Sequence, residues 1–204
     1  MDGACKITRI VYSTYQAVSG AGSKAIHDLE NGIKDFYENN NDNNNNTNSK
    51  FNYALEKFKY PIFDNCLPHI DIFLENGYTK EEEKMINETR KILRRLELAI
   101  TATTVRLPVF NSHSESINIE FENEFKLEKI VEILENAPGV KVIDSPEDEV
   151  YAIPTLASGH DEVFVSRIRR DFSIKNGLNI WVVADNIRKG AASNAVQILE
   201  QLIK

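Results

Sequence analysis

The strongest constraint in this sequence is a pair of unlike β-strand patterns separated by a break. Residues Leu98–Val109 form a largely apolar and β-branched run, which is typical of a buried strand. Residues Ser116–Phe121 alternate apolar and polar side chains, which is typical of a half-exposed strand. Pro108 and the polar pair Asn111-Ser112 favour a turn between them. The pattern predicts two strands joined by a turn.

Arg106 and His113 lie on the two sides of this break and are seven residues apart. In one unbroken strand an odd separation sends side chains to opposite faces, so the two can meet only if the backbone turns between them. A simpler interpretation makes Arg106 a cation at a strand edge and His113 a turn residue, each satisfying local hydrogen bonds. The spacing alone leaves both interpretations open.

The remaining elements mix strands and helices without a strict alternation, which favours an α+β fold. Further strands are predicted at Ile7–Tyr15, Val140–Ile143, Val163–Ile168 and Leu178–Ala184. Helices are predicted from Ser23 to about Tyr37, from a Thr79 capping box to about Glu97, at Leu127–Asn136 and from about Asn186 to Ile203.

A chain of 204 residues is long enough to bury a substantial core, and we expect one main domain over residues 1–185. Within it, eight of the ten residues from Asn39 to Asn48 are asparagine, a composition that cannot bury apolar area. We predict a solvated, mobile insertion at residues 38–50. Residues 186–204 are predicted to form a separate C-terminal helix.

Charge and cysteine content exclude several classes of function. The formal charge of −7 argues against nucleic acid or an anionic membrane as the main partner. Cys5 and Cys66 show neither metal-ligand spacing nor a disulfide framework, so no metal is expected. No apolar run reaches the ~18 residues of a membrane span, and the N-terminus lacks the pattern of a secretory signal. We expect a soluble cytoplasmic protein.

Two segments suggest anion binding, each with a simpler alternative. Residues Val18–Ser23 follow a strand and precede a helix, where exposed N–H groups attract phosphate, but they lack a complete phosphate-loop or dinucleotide fingerprint. The incomplete fingerprint favours a tight strand-to-helix turn as the alternative. Glu81 and Lys84 share one face of a first helical turn, where a bound anion would relieve the unfavourable position of the lysine. An exposed ion pair is the alternative.

No local pattern activates a nucleophile. Cys66 has His69 nearby, but its apolar flank Cys-Leu-Pro predicts a packed thiol rather than a reactive thiolate. His27 lies on a polar helix face and His160 in a predicted turn, so we assign chemistry to neither.

Five segments, in this order, together resemble aspartate-semialdehyde dehydrogenase of bacterial type. They are Val11–Gly22, Phe63–Asp71, Thr79–Met85, Arg106–Glu115 and Asp185–Ala192. The resemblance covers nearly the whole chain, with the asparagine tract as an insertion, and it corresponds to the part of that enzyme after its catalytic cysteine.

The resemblance implies NADP-dependent interconversion of L-aspartyl-4-phosphate and L-aspartate 4-semialdehyde, in the aspartate pathway to lysine, methionine and threonine. In the family, a cysteine within Asn-x-x-Cys-Ser/Thr attacks the substrate carbonyl to form a thioester, which NADPH reduces or phosphate releases. Neither Cys5 nor Cys66 matches that cysteine. The chain alone is therefore expected to be inactive.

The resemblance also implies roles for residues that would contact the reacting end of the substrate. Arg106 matches the arginine that grips the substrate carboxylate, for which a planar guanidinium is suited. His113 matches the general acid–base, which needs a pKa near the working pH. Gln16 matches a residue that contacts the bound acyl group.

Further matches concern the substrate ammonium group, phosphate and the cofactor. Glu81 matches the carboxylate that receives the substrate ammonium group, and Lys84 matches the phosphate-binding lysine. Ser19 and Gly20 match positions close to the nicotinamide half of NADP, and Asn186 matches a further position that contacts the cofactor.

The fold implied by the resemblance is a substrate-binding and dimerisation domain related to the C-terminal domain of glyceraldehyde-3-phosphate dehydrogenase. It is a mixed sheet with helices on one face and pairing between the subunits of a homodimer on the other. The helix at 186–204 would pack on a nucleotide-binding domain. The alternative is a non-catalytic dimerisation or ligand-binding module that keeps this fold.

Overall fold

The structure is a computed structural model that describes residues 1–39 and 51–203. Its strands are β1 Ile7–Gln16, β2 Ala99–Arg106, β3 His113–Phe121, β4 Val140–Val142, β5 Asp144–Ser145, β6 Val150–Tyr151, β7 Val163–Asp171 and β8 Gly177–Ala184. Its α-helices are α1 Asp2–Cys5, α2 Ser23–Asn39, α3 Lys80–Leu93, α4 Leu127–Glu135, α5 Pro154–Ala157 and α6 Ser193–Leu202. Short 3-10 turns occupy Val18–Ala21 and Pro146–Asp148, and a π-helical turn occupies Arg188–Ala192.

Six strands form one mixed sheet in the order β2-β1-β3-β8-β7-β4. The outer pairs β1–β2 and β4–β7 are parallel, and the inner neighbours are antiparallel. Strands β5 and β6 form a separate two-stranded ribbon. The α+β class and the mixed sheet are confirmed.

One face of the sheet carries the main core. Ile10 of β1, Ile117 of β3 and Ile180 of β8 point to this face, where they form one buried cluster. Leu93 at the end of α3 and Val131 of α4 pack against the same cluster. Because alternate strand residues point to opposite faces, both helices cover the same side of the sheet.

The opposite face is covered at one end by the segment that contains α5. Ala152 and Ala157 are fully buried there against Phe164 of β7 and Val183 of β8. The indole Nε1 of Trp181 donates a hydrogen bond to the carbonyl of Ala152 at 3.0 Å, which holds the segment on the sheet.

Helix α3 begins as predicted and ends earlier. The side chain of Thr79 accepts from the N–H of Glu82, and the Glu82 carboxylate accepts from the N–H of Thr79, which completes the capping box. The helix ends at Leu93 because Arg94 adopts a left-handed conformation with φ 55°. The prediction that it extends to Glu97 is therefore wrong.

Helix α2 is fixed to the segment that follows the asparagine tract. Asp28 is fully buried, and its carboxylate accepts hydrogen bonds from the N–H groups of Glu56, Lys57 and Phe58 at 2.7, 3.0 and 3.0 Å. Three charge-assisted bonds compensate the burial of this carboxylate. Of the predicted insertion at 38–50, residues 40–50 lie outside the described residues.

The C-terminal segment forms a π-helical turn followed by α6, rather than one helix from Asn186. The Asp185 carboxylate accepts from the N–H groups of Ile187 and Arg188 and so binds the first free amides of the turn. Val196, Leu199 and Leu202 of α6 are exposed. In the part of the chain that the structure describes, no helix is long and apolar enough to cross a bilayer.

Candidate active site

The last residues of β1 and β2 and the first residue of β3 lie together at one end of the sheet. Because β1 and β2 are parallel, their last residues Gln16 and Arg106 lie side by side. Strand β3 runs antiparallel to β1 and pairs Ser114 with Tyr15, which brings His113 beside the end of β1. The turn predicted between Arg106 and His113 exists, and it allows the two side chains to approach each other from either side of β1.

The backbone of Ala17 joins these two side chains. Its N–H donates to Nδ1 of His113 at 3.1 Å, and its carbonyl accepts from Nη1 of Arg106 at 2.6 Å. Ala17 is fully buried and Arg106 is 5% exposed, so these bonds are shielded from water. Sequence reasoning missed Ala17 because its contribution comes entirely from the backbone.

Gly20, in the 3-10 turn that follows Ala17, closes over the same two groups. A Cβ atom at this position would lie 3.0 Å from Nε2 of His113 and 3.1 Å from Nη1 of Arg106. Both atoms therefore lie next to the position of this missing Cβ, and Arg106 and His113 face the same small space. The absence of a side chain keeps that space open.

The backbone of Arg106 is also fixed on its other side. Its N–H donates to the carbonyl of Leu67 at 2.8 Å, and its carbonyl accepts from the N–H of Leu67 at 2.9 Å. This antiparallel bridge limits the movement of the arginine. Leu67 lies in the segment Phe63–Asp71, but no sequence signal predicts a contact over such a separation.

The first turn of α3 brings Glu81 and Lys84 to the mouth of the site. The Gln16 side chain donates to Oε1 of Glu81 at 3.5 Å, and Nζ of Lys84 lies 3.4 Å from Oε2 of the same carboxylate. The Lys84 side chain is 55% exposed, whereas that of Glu81 is 21% exposed. The ion pair exists, and it lies next to the predicted substrate residues.

Helix α3 is held in this position by Glu82. Its Oε1 accepts from the N–H of Thr104 on β2 at 3.0 Å, while Oε2 serves the capping box of the same helix. One buried carboxylate thus ties the start of α3 to β2, two residues before Arg106.

The electrostatic environment disfavours positive charge on His113. Burial, the nearby Arg106 cation and Lys84 lower the pKa of His113 to about 4, against the opposing effects of the Ser112 backbone carbonyl and Asp185. The general acid–base role that the resemblance implies for His113 stays a prediction. Burial also lowers the pKa of Arg106, with Glu81 opposing it.

Ser19 and Asn186, both predicted to contact the cofactor, lie together beside this cleft. The Asn186 amide Nδ2 donates to Oγ of Ser19 at 3.1 Å, and its Oδ1 accepts from the N–H of Ser112 at 3.0 Å. Asn111, predicted only as a turn residue, donates to the Asp185 carboxylate at 3.0 Å and so extends the network. The network fixes the turn before His113.

Neither cysteine is placed as a nucleophile. Cys5 is buried in the main core. Cys66 is exposed, so the prediction of a packed thiol is wrong: its neighbour Leu67 takes the inward position beside Arg106, and alternate residues of an extended segment point apart. His69 stacks on Phe73 at 4.2 Å. Within residues 1–39 and 51–203 no His, Cys, Asp and Glu cluster could hold a metal ion.

An α+β domain that presents a shielded arginine and a partly buried histidine to one small space is suited to binding a small anion. The chain belongs to the family described as semialdehyde dehydrogenase, dimerisation domain, which matches residues 1–189.

Relatives and solved structures agree with this assignment. An aspartate-semialdehyde dehydrogenase of Aquifex aeolicus (strain VF5) is 54% identical over 97% of this chain and 55% of its own length. One from Helicobacter pylori (strain ATCC 700392 / 26695) is 47% identical over 98% of this chain and 57% of its own length. The aspartate semialdehyde dehydrogenase II of Vibrio cholerae, solved in complex with ASA, superposes with a TM-score of 0.87 at 38% identity.

That superposition covers 99% of this chain and 56% of the Vibrio chain. The chain therefore spans about half the length of the relatives it matches.

Proposed function

We propose that this chain supplies the substrate-binding half of an NADP-dependent aspartate-semialdehyde dehydrogenase. The reaction interconverts L-aspartyl-4-phosphate and L-aspartate 4-semialdehyde. The observation that carries the proposal is the joint attachment of Arg106 and His113 to Ala17, which orients a carboxylate-binding group and an imidazole toward one space. The similarity to the Aquifex and Helicobacter enzymes supports the substrate class.

Arg106 binds the substrate carboxylate in this proposal. Its guanidinium is shielded from water, where a charge-assisted hydrogen bond is stronger than at the surface. Gln16 lies next to it and contacts the acyl group. Glu81, which already accepts a hydrogen bond from Gln16, receives the ammonium group, which is attached to the same carbon atom as that carboxylate.

Lys84 binds phosphate in this proposal. Its ammonium group is half exposed and paired to a single carboxylate, so it is free to turn toward an anion that enters the cleft. The alternative of a purely structural ion pair predicts that phosphate leaves Lys84 unaffected.

The proposed cofactor is NADP, which accepts hydride from the substrate when it is bound. The residues at the cleft fit a flat ring, because Gly20 leaves open the space that a Cβ would fill beside His113. Ser19 and Asn186 line the same edge with polar atoms. We assign these three residues to the nicotinamide end of NADP.

In this proposal the chain does not supply the nucleophile that attacks the substrate carbonyl. The thiol of Cys5 is buried in the core, and that of Cys66 is followed by a residue that pairs with Arg106, so neither is assigned the reaction with the substrate carbonyl. The chain by itself is expected to bind substrate without turnover, as a homodimer that pairs through the sheet in the cytoplasm.

Binding of L-aspartate semialdehyde to the 204-residue chain, followed by NMR chemical shifts, tests the proposal. Arg106→Lys is expected to weaken binding at least ~10-fold, because lysine cannot keep the planar fork of donors. Arg9→Lys, on an exposed part of β1, is the matched control and is expected to leave binding unchanged.

Two results would contradict the proposal. The first is equal binding by the Arg106→Lys and Arg9→Lys chains. The second is NADPH formation by the chain alone when it is supplied with aspartate semialdehyde, phosphate and NADP, since this would require a nucleophile that the proposal does not assign.

A further inference from the structure

We propose that Asp185 is a positioning residue that holds three segments beside the cleft as one rigid unit. The segments are the turn that precedes His113, the turn that follows α5 and the start of the C-terminal segment. Their common attachment sets the distance from His113 to the polar side chains on the cofactor side of the cleft. The catalytic meaning of this inference rests on the proposed function, whereas the attachment itself can be measured without substrate.

The Asp185 side chain, one residue after the end of β8, has both carboxylate oxygens occupied. Oδ1 accepts from the backbone N–H groups of Ile187 and Arg188 at 2.9 and 3.0 Å. Oδ2 accepts from the N–H of Gly159 at 2.8 Å and from the side-chain amide of Asn111 at 3.0 Å. One carboxylate therefore binds three separate parts of the chain.

These contacts require an ionised carboxylate at position 185. All four partners are donors, and a carboxylate offers two acceptor oxygens where an amide offers only one. Asp185 is 2% exposed, so its bonds are shielded from water. Burial raises the pKa of Asp185, but the hydrogen bonds, first of all the one from Gly159, outweigh it and hold the pKa below its usual value.

Asn186 extends the attachment to the turn before His113. Its Oδ1 accepts from the N–H of Ser112 at 3.0 Å, and its Nδ2 donates to Oγ of Ser19 at 3.1 Å. The bonds from Asp185 to the two amides that follow Asn186 close a turn around that residue. The direction of the Asn186 side chain is therefore fixed by its neighbour.

Asn111 provides a second, direct connection to the same turn. Its Nδ2 donates to Asp185, and its Oδ1 accepts from Oγ of Ser19 at 3.3 Å. The next residue, Ser112, has φ 73°, a left-handed conformation that costs free energy for a residue other than glycine. Such a conformation persists only where the surrounding bonds hold it, so the turn depends on both connections.

The proposed function assigns the side chains of this unit to two different molecules. His113 faces the substrate, and Ser19 and Asn186 face the nicotinamide end of NADP. Groups that act together on two bound molecules need a fixed separation, because a displacement of about 1 Å can lower the rate about 100-fold. Asp185 maintains this separation through other residues and contacts neither molecule.

Hydrogen exchange at the backbone N–H of Ser112, measured by NMR on the ¹⁵N-labelled 204-residue chain, tests this role. That amide is bound by Asn186 and not by Asp185, so a purely local role of Asp185 would leave its exchange unchanged. Asp185→Asn places an NH₂ group opposite two of the four donors. We expect Ser112 to exchange at least ~10-fold faster, relative to Ile117 in the central strand β3, which reports global opening.

Asp171→Asn is the matched control. The Asp171 carboxylate also accepts from the N–H two residues further on, that of Ser173 at 2.9 Å. It pairs with Gly177 at the start of β8, whereas Asp185 follows the end of that strand. Exchange at Ser112 is expected to remain at the wild-type rate in this variant.

Equal exchange at Ser112 in the Asp185→Asn and wild-type chains would overturn the proposal. If Asp185→Asn does not fold, the wild-type chain provides the answer: in low urea the amides of Ser112, Gly159 and Ile187 should exchange through one opening event with one dependence on urea. Independent openings would contradict the rigid unit. No substrate enters either measurement, so a failure here is distinguishable from a failure of the Arg106 binding test.

Discussion

Arg106 and His113 are bound to the two polar groups of one residue, the carbonyl and the N–H of Ala17. Neither side chain can shift without moving the backbone that holds the other. Two groups that come from different strands therefore behave as one unit with a fixed separation. Such preorganisation lets donors act without first reorganising around a substrate.

Gly20→Ala is expected to weaken binding of L-aspartate semialdehyde by about 10-fold, because a Cβ at 3.0–3.1 Å must displace His113 or Arg106 from its contact with Ala17. NMR titration measures the change in affinity. Gly190→Ala is the control, since a Cβ there meets no atom within 4 Å. Equal affinities for both variants would show that the close approach of Gly20 has no part in binding.

Ser112→Gly is expected to stabilise the fold by about 1 kcal/mol. Ser112 has φ 73°, and its buried hydroxyl has no hydrogen-bond partner among the described residues. Glycine removes both costs, although its greater loss of entropy on folding offsets part of the gain. Urea unfolding measures the difference. Ser116→Gly, inside β3, should instead destabilise, and a loss of stability in both would disprove this account of Ser112.

Glu115→Gln is expected to stabilise the fold at high pH only. Burial on the helix-covered face raises the pKa of Glu115 from its unfolded value of 4.5 to about 6. As the pH rises through this range, Glu115 ionises more readily in the unfolded chain than in the folded one, so the fold loses stability. Glutamine avoids the charge, and the gain should approach ~2 kcal/mol at about pH 8 and vanish at about pH 4.

Urea unfolding at the two pH values measures this gain, with the exposed Glu124→Gln as control. A gain that does not change with pH would exclude the titration of Glu115 as its cause.

Glu82→Gln is expected to destabilise the fold by about 2 kcal/mol, since an amide cannot accept from both backbone N–H groups that the carboxylate now binds. These belong to Thr79 at 2.7 Å and Thr104 at 3.0 Å. Urea unfolding provides the measurement, and Glu88→Gln, exposed on the same helix, is the matched control. Equal stabilities of the two variants would contradict the anchoring role of Glu82.

Local signals predicted the six strands of the main sheet and helices α2, α3 and α4, but not α1, α5 or the β5–β6 ribbon. The capping box at Thr79 and Glu82 depends on residues three apart, and the sheet strands follow from short-range patterns of apolar residues. The C-terminal end of α3 was less predictable, because Arg94 carries no marker of the left-handed conformation that ends the helix.

The site required information that local patterns lack. The family resemblance brought Gln16, Arg106 and His113 together, and the sheet register places them at one edge. The contribution of Ala17 comes from its backbone, and that of Leu67 from a pairing between distant segments, so neither leaves a side-chain signature. The low pKa of His113 follows from burial, which only the folded chain defines.

The buried carboxylate of Asp28 fixes the segment that follows the asparagine tract to helix α2. It accepts hydrogen bonds from the backbone amides of Glu56, Lys57 and Phe58, so the position of this segment relative to α2 is fixed. We therefore expect that changes in the length of the tract leave the bridge between Leu67 and Arg106 in place.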